Sequence, residues 1–516
     1  MNGDFAAALQ VLPDYLGHHV RLSAAALALG LLISLPLAVA ASRSARLRWP
    51  LLTFASLIQT IPSLALLALF YPLLLVLSSA SQATFGHGFS ALGFLPALAA
   101  LTLYSMLPIL RNTVTGILTL DPGIIEAARG VGMTDGQRLR MIELPLAAPV
   151  IMAGIRTAAV WVIGTATLAT PVGQISLGNY IFSGLQTENW VWVLVGCIAS
   201  AVLALIVDQL LALMESGFAR RSGWRIWCGV LGLAIGTILA IVPWATSARA
   251  AYVIGAKNFS EQYILGALIA DRIEQQGQTS TLSSGLGSAV VFRALANSEI
   301  DVYVDYSGTI WANVMNRSDH PAREAMLAEM TEWLRDKYGV VLLGALGFEN
   351  AYALAMRGDR AEKLGVKTIA DLARHAPQLN LGTDYEFLAR ADWAALQSGY
   401  GLRFASSRQF QSTFMYKALV DGQVDVISAF SSDGRIAAEH LTVLDDPLHR
   451  IPPYDAIVLL APKRAGDAVL RAALQPLIGA IPIERMREAN MMVDRETDKK
   501  TPAAAARWLA EQAGLK

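Results

Sequence analysis

The sequence predicts a chain of two unlike parts: an all-α body of six membrane spans, followed by a two-lobed α/β domain outside the membrane. Of the 516 residues, 54% are hydrophobic and only 16% are charged, whereas soluble proteins carry about a quarter charged residues. The charges are unevenly placed, because residues 1–246 contain no lysine, 12 arginines and 9 carboxylates, and Lys257 is the first lysine. This boundary separates an apolar part from a charged part.

The charge balance excludes several classes of protein. The net charge is zero, with a small positive excess before residue 247 and a small negative excess after it, so neither part has the basic surface of a nucleic-acid-binding protein. Both cysteines, Cys197 and Cys228, lie in apolar runs. With no other thiol and no Cys/His cluster, the sequence offers neither a disulfide scaffold nor a metal site.

Six apolar runs of the first part are long enough to cross a bilayer, which takes about 20 residues. A single run of this kind is also compatible with a buried core helix. Six of them in 246 residues that hold so few charges are not compatible with a soluble core. The runs lie near 20–42, 51–79, 91–117, 147–170, 190–214 and 224–245.

The arginines indicate the orientation of the spans. The segments after the second and fourth runs contain no lysine or arginine. Those after the first, third and fifth contain three arginines each: Arg43, Arg46 and Arg48; Arg129, Arg138 and Arg140; Arg220, Arg221 and Arg225. By the positive-inside rule these three segments face the cytoplasm. We therefore expect a multi-pass protein of the bacterial plasma (inner) membrane with an extracytoplasmic C-terminal domain, although His18, His19 and Arg21 favour the opposite orientation of the first run.

The sixth run has two interpretations. Basic residues, an apolar stretch from Trp224 to Ala245 and an A-x-A sequence at 248–250 fit an internal signal peptide. An uncleaved transmembrane tether is the simpler interpretation. In both interpretations the residues after the sixth run lie outside the membrane on the extracytoplasmic side.

The cytoplasmic segment at about 121–146 predicts a short helix that Asp121 caps, that Pro122 begins and that Gly130 and Gly132 end. A second amphipathic piece is expected to stop at Pro145. The segment resembles the EAA loop of ABC-importer permeases, a resemblance carried by Glu126, Ala127, Ala128, Gly132, Leu144 and Pro145. The resemblance implies a loop that docks into a cytoplasmic ATPase subunit and transmits its closure to the membrane helices.

The sequence contains no motif for binding and hydrolysing ATP. A phosphate-binding P-loop needs a Gly-Lys pair, and the chain contains none. We therefore expect no cofactor in this chain, with ATP bound by the partner ATPase. An enzyme is not expected either, since no Ser, His or Asp lies in a nucleophile elbow or in a His/Glu metal spacing.

The exported part alternates short apolar runs with helical stretches, which indicates an α/β domain. Strands are expected at 252–255, 302–304, 351–356, 424–427 and 456–460, and helices from Ser260 to about Gln276 and near 288–297. Its length suits two lobes.

Six motifs of this part resemble, in the same order, those of substrate-binding proteins for glycine betaine, carnitine, choline and related compounds. They are Lys257 to Gln262, Asp305 to Thr309, Gly347 to Leu354, Glu386 to Arg390, Ser428 to Ile436 and Pro452 to Asp455. The resemblance implies a periplasmic-binding-protein-like (type II) fold. The stretch from Thr167 to Phe182 is likewise similar to permeases for betaine-type solutes, and similar fusions of permease and receptor occur among importers of ergothioneine, a histidine-derived betaine.

Quaternary ammonium groups cannot donate hydrogen bonds, so proteins hold them against aromatic rings, each contact contributing about 0.5–2 kcal/mol. The family resemblance implies a cage of Tyr306, Tyr352, Phe430 and Tyr454, with a phenylalanine where the family often has a tyrosine. Core packing is the alternative for any one of these rings, and it is the expectation for Tyr303, which lies on the opposite strand face from Tyr306.

The polar end of the ligand has more than one candidate partner. Gln262, Ser307 and Thr309 could donate to a carboxylate, and Arg390 could pair with one or form a salt bridge between the lobes. Asp433, with Asp384 and Glu386, could instead hold a cation or an imidazole N–H. The segment from Asn258 to Gln262 could also serve only to cap a helix.

These features predict a permease domain at 1–223, a last span and linker at 224–250, and a substrate-binding domain at 251–516. Within the last, lobe 1 is expected at about 252–347 and 455–516, and lobe 2 at about 348–454. The expected protein is the membrane and substrate-binding subunit of an ABC importer for a zwitterionic or cationic quaternary amine, acting as a homodimer. An importer of ergothioneine or another amino-acid-like solute, and a membrane-anchored solute sensor, remain alternatives.

Overall fold

The structure is a computed structural model of the chain, and it describes residues 2–86, 88–89, 91–187, 189–246, 250–317, 319, 321–495 and 498–515. The chain divides into two compact units, Met1–Phe182 with Val191–Ala248 and Ser183–Trp190 with Arg249–Lys516. The linker residues 247–249, which belong to the possible cleavage site, lie outside the described residues.

The first unit is helical. A π-helical turn, Leu139–Glu143, joins α6 to α7, and a 3-10 helix, Thr167–Val172, follows α7. The α-helices of this part of the chain are α1 (Asn2–Arg43), α2 (Ala45–Thr60), α3 (Ser63–Phe85), α4 (Phe94–Leu118), α5 (Pro122–Gly130), α6 (Asp135–Arg138), α7 (Leu144–Ala166), α8 (Gly178–Gln186), α9 (Trp190–Ala219) and α10 (Gly223–Thr246).

The predicted six spans are confirmed within the described residues. They are Ala8–Arg43, Ser63–Phe85, Phe94–Leu118, Asp135–Val172, Trp190–Ala219 and Gly223–Val242. The second run, expected to be continuous from 51 to 79, is instead divided between α2 and α3. Ile61 has extended backbone angles and Pro62 precedes α3, because a residue before proline is disfavoured in the helical region.

The cytoplasmic segment contains the predicted short helix. The Asp121 carboxylate accepts a hydrogen bond from the Gly123 N–H at 2.8 Å and Pro122 occupies the first turn of α5, while Gly132 has a φ of 80°. The expected stop at Pro145 is wrong. Thr134 forms a capping box that starts α6, and the helical chain then continues through the π-helical turn into α7, which contains Pro145 as its second residue.

The second unit contains two five-stranded sheets with strand orders β2-β1-β3-β10-β4 and β7-β6-β8-β5-β9. The strands are β1 (Tyr252–Lys257), β2 (Ser280–Leu286), β3 (Val302–Tyr306), β4 (Val341–Glu349), β5 (Tyr352–Arg357), β6 (Asn380–Thr383), β7 (Ser406–Gln409), β8 (Val426–Phe430), β9 (Leu441–Val443) and β10 (Asp455–Leu460). Each sheet mixes parallel and antiparallel pairs.

Helices accompany both sheets. They are α11 (Ser260–Glu274), α12 (Ser288–Ala296), α13 (Ser307–Thr309), α14 (Arg323–Tyr338), α15 (Gly358–Leu364), α16 (Ile369–His375), α17 (Ala391–Tyr400), α18 (Ser412–Val420), α19 (Arg435–Ala438), α20 (Ala468–Leu474), α21 (Ile483–Asp494) and α22 (Pro502–Gln512). The expected helices from Ser260 and near 288–297 are confirmed, and the five expected strands are present with shifts of one to three residues at their ends.

An ion-paired cluster lies inside the membrane part. Arg156 on α7 donates to both carboxylate oxygens of Asp208 at 3.0 and 2.9 Å and to Glu215 at 2.7 Å, both on α9. Charged groups in a membrane are costly unless they are paired. The cluster therefore fastens α7 to α9.

Replacing Arg156 with methionine is expected to lower the melting temperature of the detergent-solubilised chain, because two carboxylates then face each other without a cation. The three side chains are 22–29% exposed, so we expect a loss of roughly 1–3 kcal/mol, less than for a fully buried pair. Arg156→Met combined with Asp208→Asn should regain part of this loss, and Arg220→Met, at an exposed position, serves as the control. Equal melting temperatures for Arg156→Met and the wild type would contradict the assignment.

Candidate ligand-binding site and coupling loop

The candidate site lies where the chain crosses between the two sheets of the second unit. The chain leaves the first sheet after β4, enters the second at β5, and returns between Val443 and Asp455. Three of the four predicted cage residues sit at ends of strands, Tyr306 on β3, Tyr352 on β5 and Phe430 on β8, and Tyr454 immediately precedes β10. Loops and strand ends that a rigid sheet positions are common places for binding residues.

Three of the predicted rings form one cluster. Tyr352 and Phe430 are directly opposite each other in the antiparallel pair β5–β8, and their ring centroids are 5.0 Å apart. The Tyr454 ring lies 6.0 Å from Tyr352 at an angle of 82°, and Phe387, which was not predicted, lies 5.0 Å from Tyr352. Cross-strand register thus places the first two rings side by side.

Tyr306 lies in a neighbouring polar group. Its hydroxyl donates to Glu261 at 2.5 Å and accepts from the amide of Gln262 at 3.0 Å, and its ring stacks on Phe259. The two groups are adjacent at Gly308, where a Cβ would come within 2.6 Å of the Tyr454 ring. Only glycine fits at this position. Tyr303 is fully buried, as expected of a core residue, and its hydroxyl donates to Asp305.

Arg390 lies within the aromatic cluster. Its guanidinium is 5.0 Å from the Tyr352 ring centroid and 5.8 Å from that of Tyr454, and it donates to the Tyr454 hydroxyl at 3.0 Å. Its ion pairs, at 2.9 Å with Asp392 and 3.5 Å with Glu386, both stay within one lobe. The alternative of a salt bridge between the lobes is therefore wrong.

Two other predicted polar residues, Ser307 and Thr309, are buried, and Ser307 has structural partners. The Ser307 hydroxyl donates to the Pro453 carbonyl and accepts from the Asp455 N–H, both at 2.9 Å, so it holds the segment that carries Tyr454. Thr309, two residues further on, is also buried. The helix α11 begins after Phe259 without a side-chain cap, which removes the alternative that the segment from Asn258 to Gln262 serves only as a cap.

Asp433 lies on another face of Phe430. A pocket of about 40 Å³ contains Asp433 together with Phe259, Glu261, Asn350, Phe430 and Asn490. Asp433 pairs with Arg435 at 2.6 Å. The amide nitrogens of Asn350 and Asn490 both donate to Glu261, and their Oδ1 atoms are buried with no hydrogen-bond donor among the described residues. This pocket is rich in acceptors.

Two charged residues of the site were missed by sequence reasoning. Lys257 pairs with Asp305 at 2.5 Å, with both side chains almost fully buried, and lies 5.2 Å from the Tyr306 ring centroid. Glu261 is buried, and burial raises its pKa while hydrogen bonds from Ser432, Tyr306, Asn490 and Asn350 oppose that rise. Both residues could have been identified from the sequence, because a lysine that ends a buried strand and a glutamate in the first turn of a buried helix are uncommon.

The coupling loop presents an exposed apolar surface. Glu126 and Ala127 are exposed, whereas Ala128 is buried against its own chain, so only part of the predicted small-residue side is accessible. Ile124, Val131 and Met141 are 42%, 77% and 63% exposed. Exposed apolar groups gathered in this way favour contact with another protein.

The fold and the site together define a class of protein: a membrane permease joined in one chain to a two-lobed solute-binding domain. Residues 29–220 match the inner membrane component of binding-protein-dependent transport systems, and residues 250–511 match the substrate-binding domain of ABC-type glycine betaine transport systems. The chain belongs to this family of ABC importers. It is therefore a multi-pass inner-membrane protein with an extracytoplasmic C-terminal domain, and its ATPase is a separate subunit.

Several relatives share this organisation or half of it. The ergothioneine transport permease/ergothioneine binding protein of Helicobacter pylori is 27% identical over 485 residues, which cover 90% of this chain and 84% of the relative. A glycine betaine/carnitine/choline transport system permease protein of Bacillus subtilis is 41% identical over 39% of this chain and 84% of the relative. A solved glycine betaine/carnitine/choline ABC transporter structure is 27% identical, covers 51% of this chain and 99% of its own, and has a TM-score of 0.45.

The raised pKa of Asp494 should make the stability of the folded protein depend on pH. This buried carboxylate accepts from Ser260, and burial raises its pKa to about 6 despite the attraction of Arg435. The folded protein then binds its proton more tightly than the unfolded chain, so stability falls as the pH rises from about 4 to about 6. Between pH 5 and 7 we expect the melting temperature of the wild type to fall relative to that of Asp494→Asn.

Asp498→Asn is the matched control for this measurement. Asp498 is exposed, and hydrogen bonding to Lys500 lowers its pKa, so its charge is constant over the same range. Parallel pH profiles of the wild type and Asp494→Asn would contradict the prediction.

Proposed function

We propose that the importer carries a quaternary-ammonium solute of the betaine type, such as glycine betaine, carnitine or choline. The observation that carries this proposal is the cluster of Tyr352, Phe430 and Tyr454. Tyr306 is two residues from Gly308, which lies against the Tyr454 ring. Electron-rich ring faces attract a cation that has no hydrogen to donate. Arg390, which already lies against two of these rings, is the group that pairs with the carboxylate of a zwitterion.

The transport cycle follows from the two parts of the chain. The lobes of the binding domain close on the solute, the closed form delivers it to the membrane helices, and the partner ATPase drives alternating access through the loop around Glu126. Two copies of this chain form the membrane body, since six spans make half of the usual twelve. Each transporter then carries two binding domains.

The aromatic cluster is tested by Tyr352→Leu. Losing one ring contact of about 1–2 kcal/mol should weaken binding of glycine betaine to the full chain in nanodiscs roughly 5- to 30-fold, whereas Tyr352→Phe should keep most of the affinity. Tyr338→Leu, which removes a half-buried tyrosine on α14, is the matched control. Calorimetry with glycine betaine, carnitine and choline provides the measurement. Unchanged affinity in Tyr352→Leu would show that the solute binds elsewhere.

A betaine with an N–H-bearing ring is the second candidate. The Oδ1 atoms of Asn350 and Asn490 lack donors and line the pocket that shares Phe430 with the aromatic cluster, and an unpaired buried acceptor is unfavourable. An imidazole N–H could satisfy them. The Helicobacter pylori relative is named for ergothioneine, which has such a ring.

Histidine betaine and glycine betaine distinguish the two candidates, because only the former has a ring N–H. If the pocket takes the ring, histidine betaine should bind the full chain at least 10-fold more tightly than glycine betaine, and Asn350→Leu should remove most of that preference. Equal affinities of the wild type for the two ligands would favour glycine betaine, carnitine or choline.

The coupling loop is tested by Glu126→Ala with Gly132→Val. Gly132 has a φ of 80°, which a β-branched residue adopts poorly. With the partner ATPase present, solute uptake into proteoliposomes should fall at least 10-fold while solute binding is retained. Gly136→Ala, at an open position in the same loop, should behave as wild type. Full uptake by the double variant would show that this loop does not couple the ATPase to transport, whereas solute binding without any uptake by the wild type would indicate a solute sensor.

A further inference from the structure

A buried carboxylate joins the coupling loop to the first span. Glu143, at the end of the π-helical turn before α7, is almost fully buried and accepts from Arg138 at 2.8 Å. It also accepts from Arg43, the last residue of α1. Arg138 in turn pairs with Asp135 at 2.8 Å, so two carboxylates and two guanidinium groups form a neutral network.

The backbone on the loop side of this network is continuous. The capping box at Thr134 starts α6, and the π-helical turn passes directly into α7. π-helical turns are rare and frequently mark functional positions. A displacement of α6 is therefore passed to Glu143 along an unbroken helical backbone.

The α1 side of the network is equally well fixed. Arg48, on α2, donates to the carbonyls of Ala41 and Ser42 at 3.1 and 3.5 Å. These contacts hold the last turn of α1, where a cation also complements the helix dipole. The backbone that carries Arg43 is thus held at the end of α1.

Nearer its start, α1 contacts both α7 and the segment that follows it. The His19 ring lies within hydrogen-bond distance of the Ile163 carbonyl and the Leu177 N–H, at 3.1 and 3.4 Å, and the Ala8 carbonyl accepts from the Tyr180 hydroxyl at 2.5 Å. With 42 residues, α1 is about 63 Å long at 1.5 Å per residue. Near both of its ends, α1 therefore contacts the part of the chain that runs from Glu143 through α7 to Tyr180.

We propose that the Arg43–Glu143 ion pair is the link through which the coupling loop moves α1, and that α1 carries this movement to the segment around Leu177 and Tyr180. Arg43 and Glu143 are positioning residues for transport. The Glu143 carboxylate suits this role because it is almost fully buried, whereas the Arg43 side chain is 40% exposed, so separating the pair removes one of the two cations that compensate a buried charge. The proposal rests on the importer function, since it needs a partner ATPase that moves the loop.

The test uses the full chain with its ATPase in proteoliposomes and measures both solute uptake and ATP hydrolysis. Arg43→Gln cuts the link to α1 but leaves Arg138 paired with Glu143. We expect ATP hydrolysis and solute binding within 2-fold of the wild type and at least 10-fold less solute transported per ATP. Arg43→Lys keeps the charge and should restore most of the ratio. Arg46→Gln, at an exposed position three residues beyond Arg43, should match the wild type.

Tyr180→Phe tests the other end of α1 independently of the ion pair. Removing one hydroxyl should lower the solute-to-ATP ratio in the same direction and leave solute binding unchanged, and this variant carries the test if Arg43→Gln does not assemble. An unchanged ratio in Arg43→Gln, or an equal loss in Arg46→Gln, would overturn the proposal. Absence of uptake by the wild type would instead contradict the proposed function, so the two failures are distinguishable.

Discussion

The free-energy cost of burying charge is the constraint on which both parts of the molecule depend. An ionised side chain removed from water is destabilising by several kcal/mol unless a partner compensates it. In the membrane part this cost is offset by pairing at Arg156, which lies between Asp208 and Glu215. The remaining helical surface is apolar, and the backbone polar groups are satisfied within each helix.

The same cost organises the solute-binding cleft, although water surrounds that domain. Lys257 is buried with Asp305, Arg390 with Asp392, and Glu261 accepts hydrogen bonds from both sides of the crossover between the sheets. Each pair holds an aromatic ring in place, since Lys257 lies near Tyr306 and Arg390 lies against Tyr352. The positions of the aromatic rings thus depend on buried ion pairs that need not contact the solute.

Local features of the chain were predictable from the sequence, and distant pairings were not. Apolar runs, the Asp121–Pro122 helix start and the strand–helix alternation are properties of a few consecutive residues, and the structure has them nearly as predicted. The continuation through Pro145 depended on a cap at Thr134, eleven residues earlier. The partners of Glu261 lie 89 and 229 residues away along the chain, and no periodicity in a single sequence reports such pairs.

Strand register gives Phe430 a special place in the choice of solute. A slip of one residue between β5 and β8 would turn its ring to the other face of the sheet, so the pairing with Tyr352 fixes it between the aromatic cluster and the pocket that contains Asn350 and Asn490. As a phenylalanine it offers no hydroxyl to either one. A polar group of the solute on the Arg390 side of the ring would lie near a guanidinium, and one on the Asn350 side would lie near hydrogen-bond acceptors. In the proposed site, the side of Phe430 that the polar end of the solute occupies therefore selects between a carboxylate and an N–H donor.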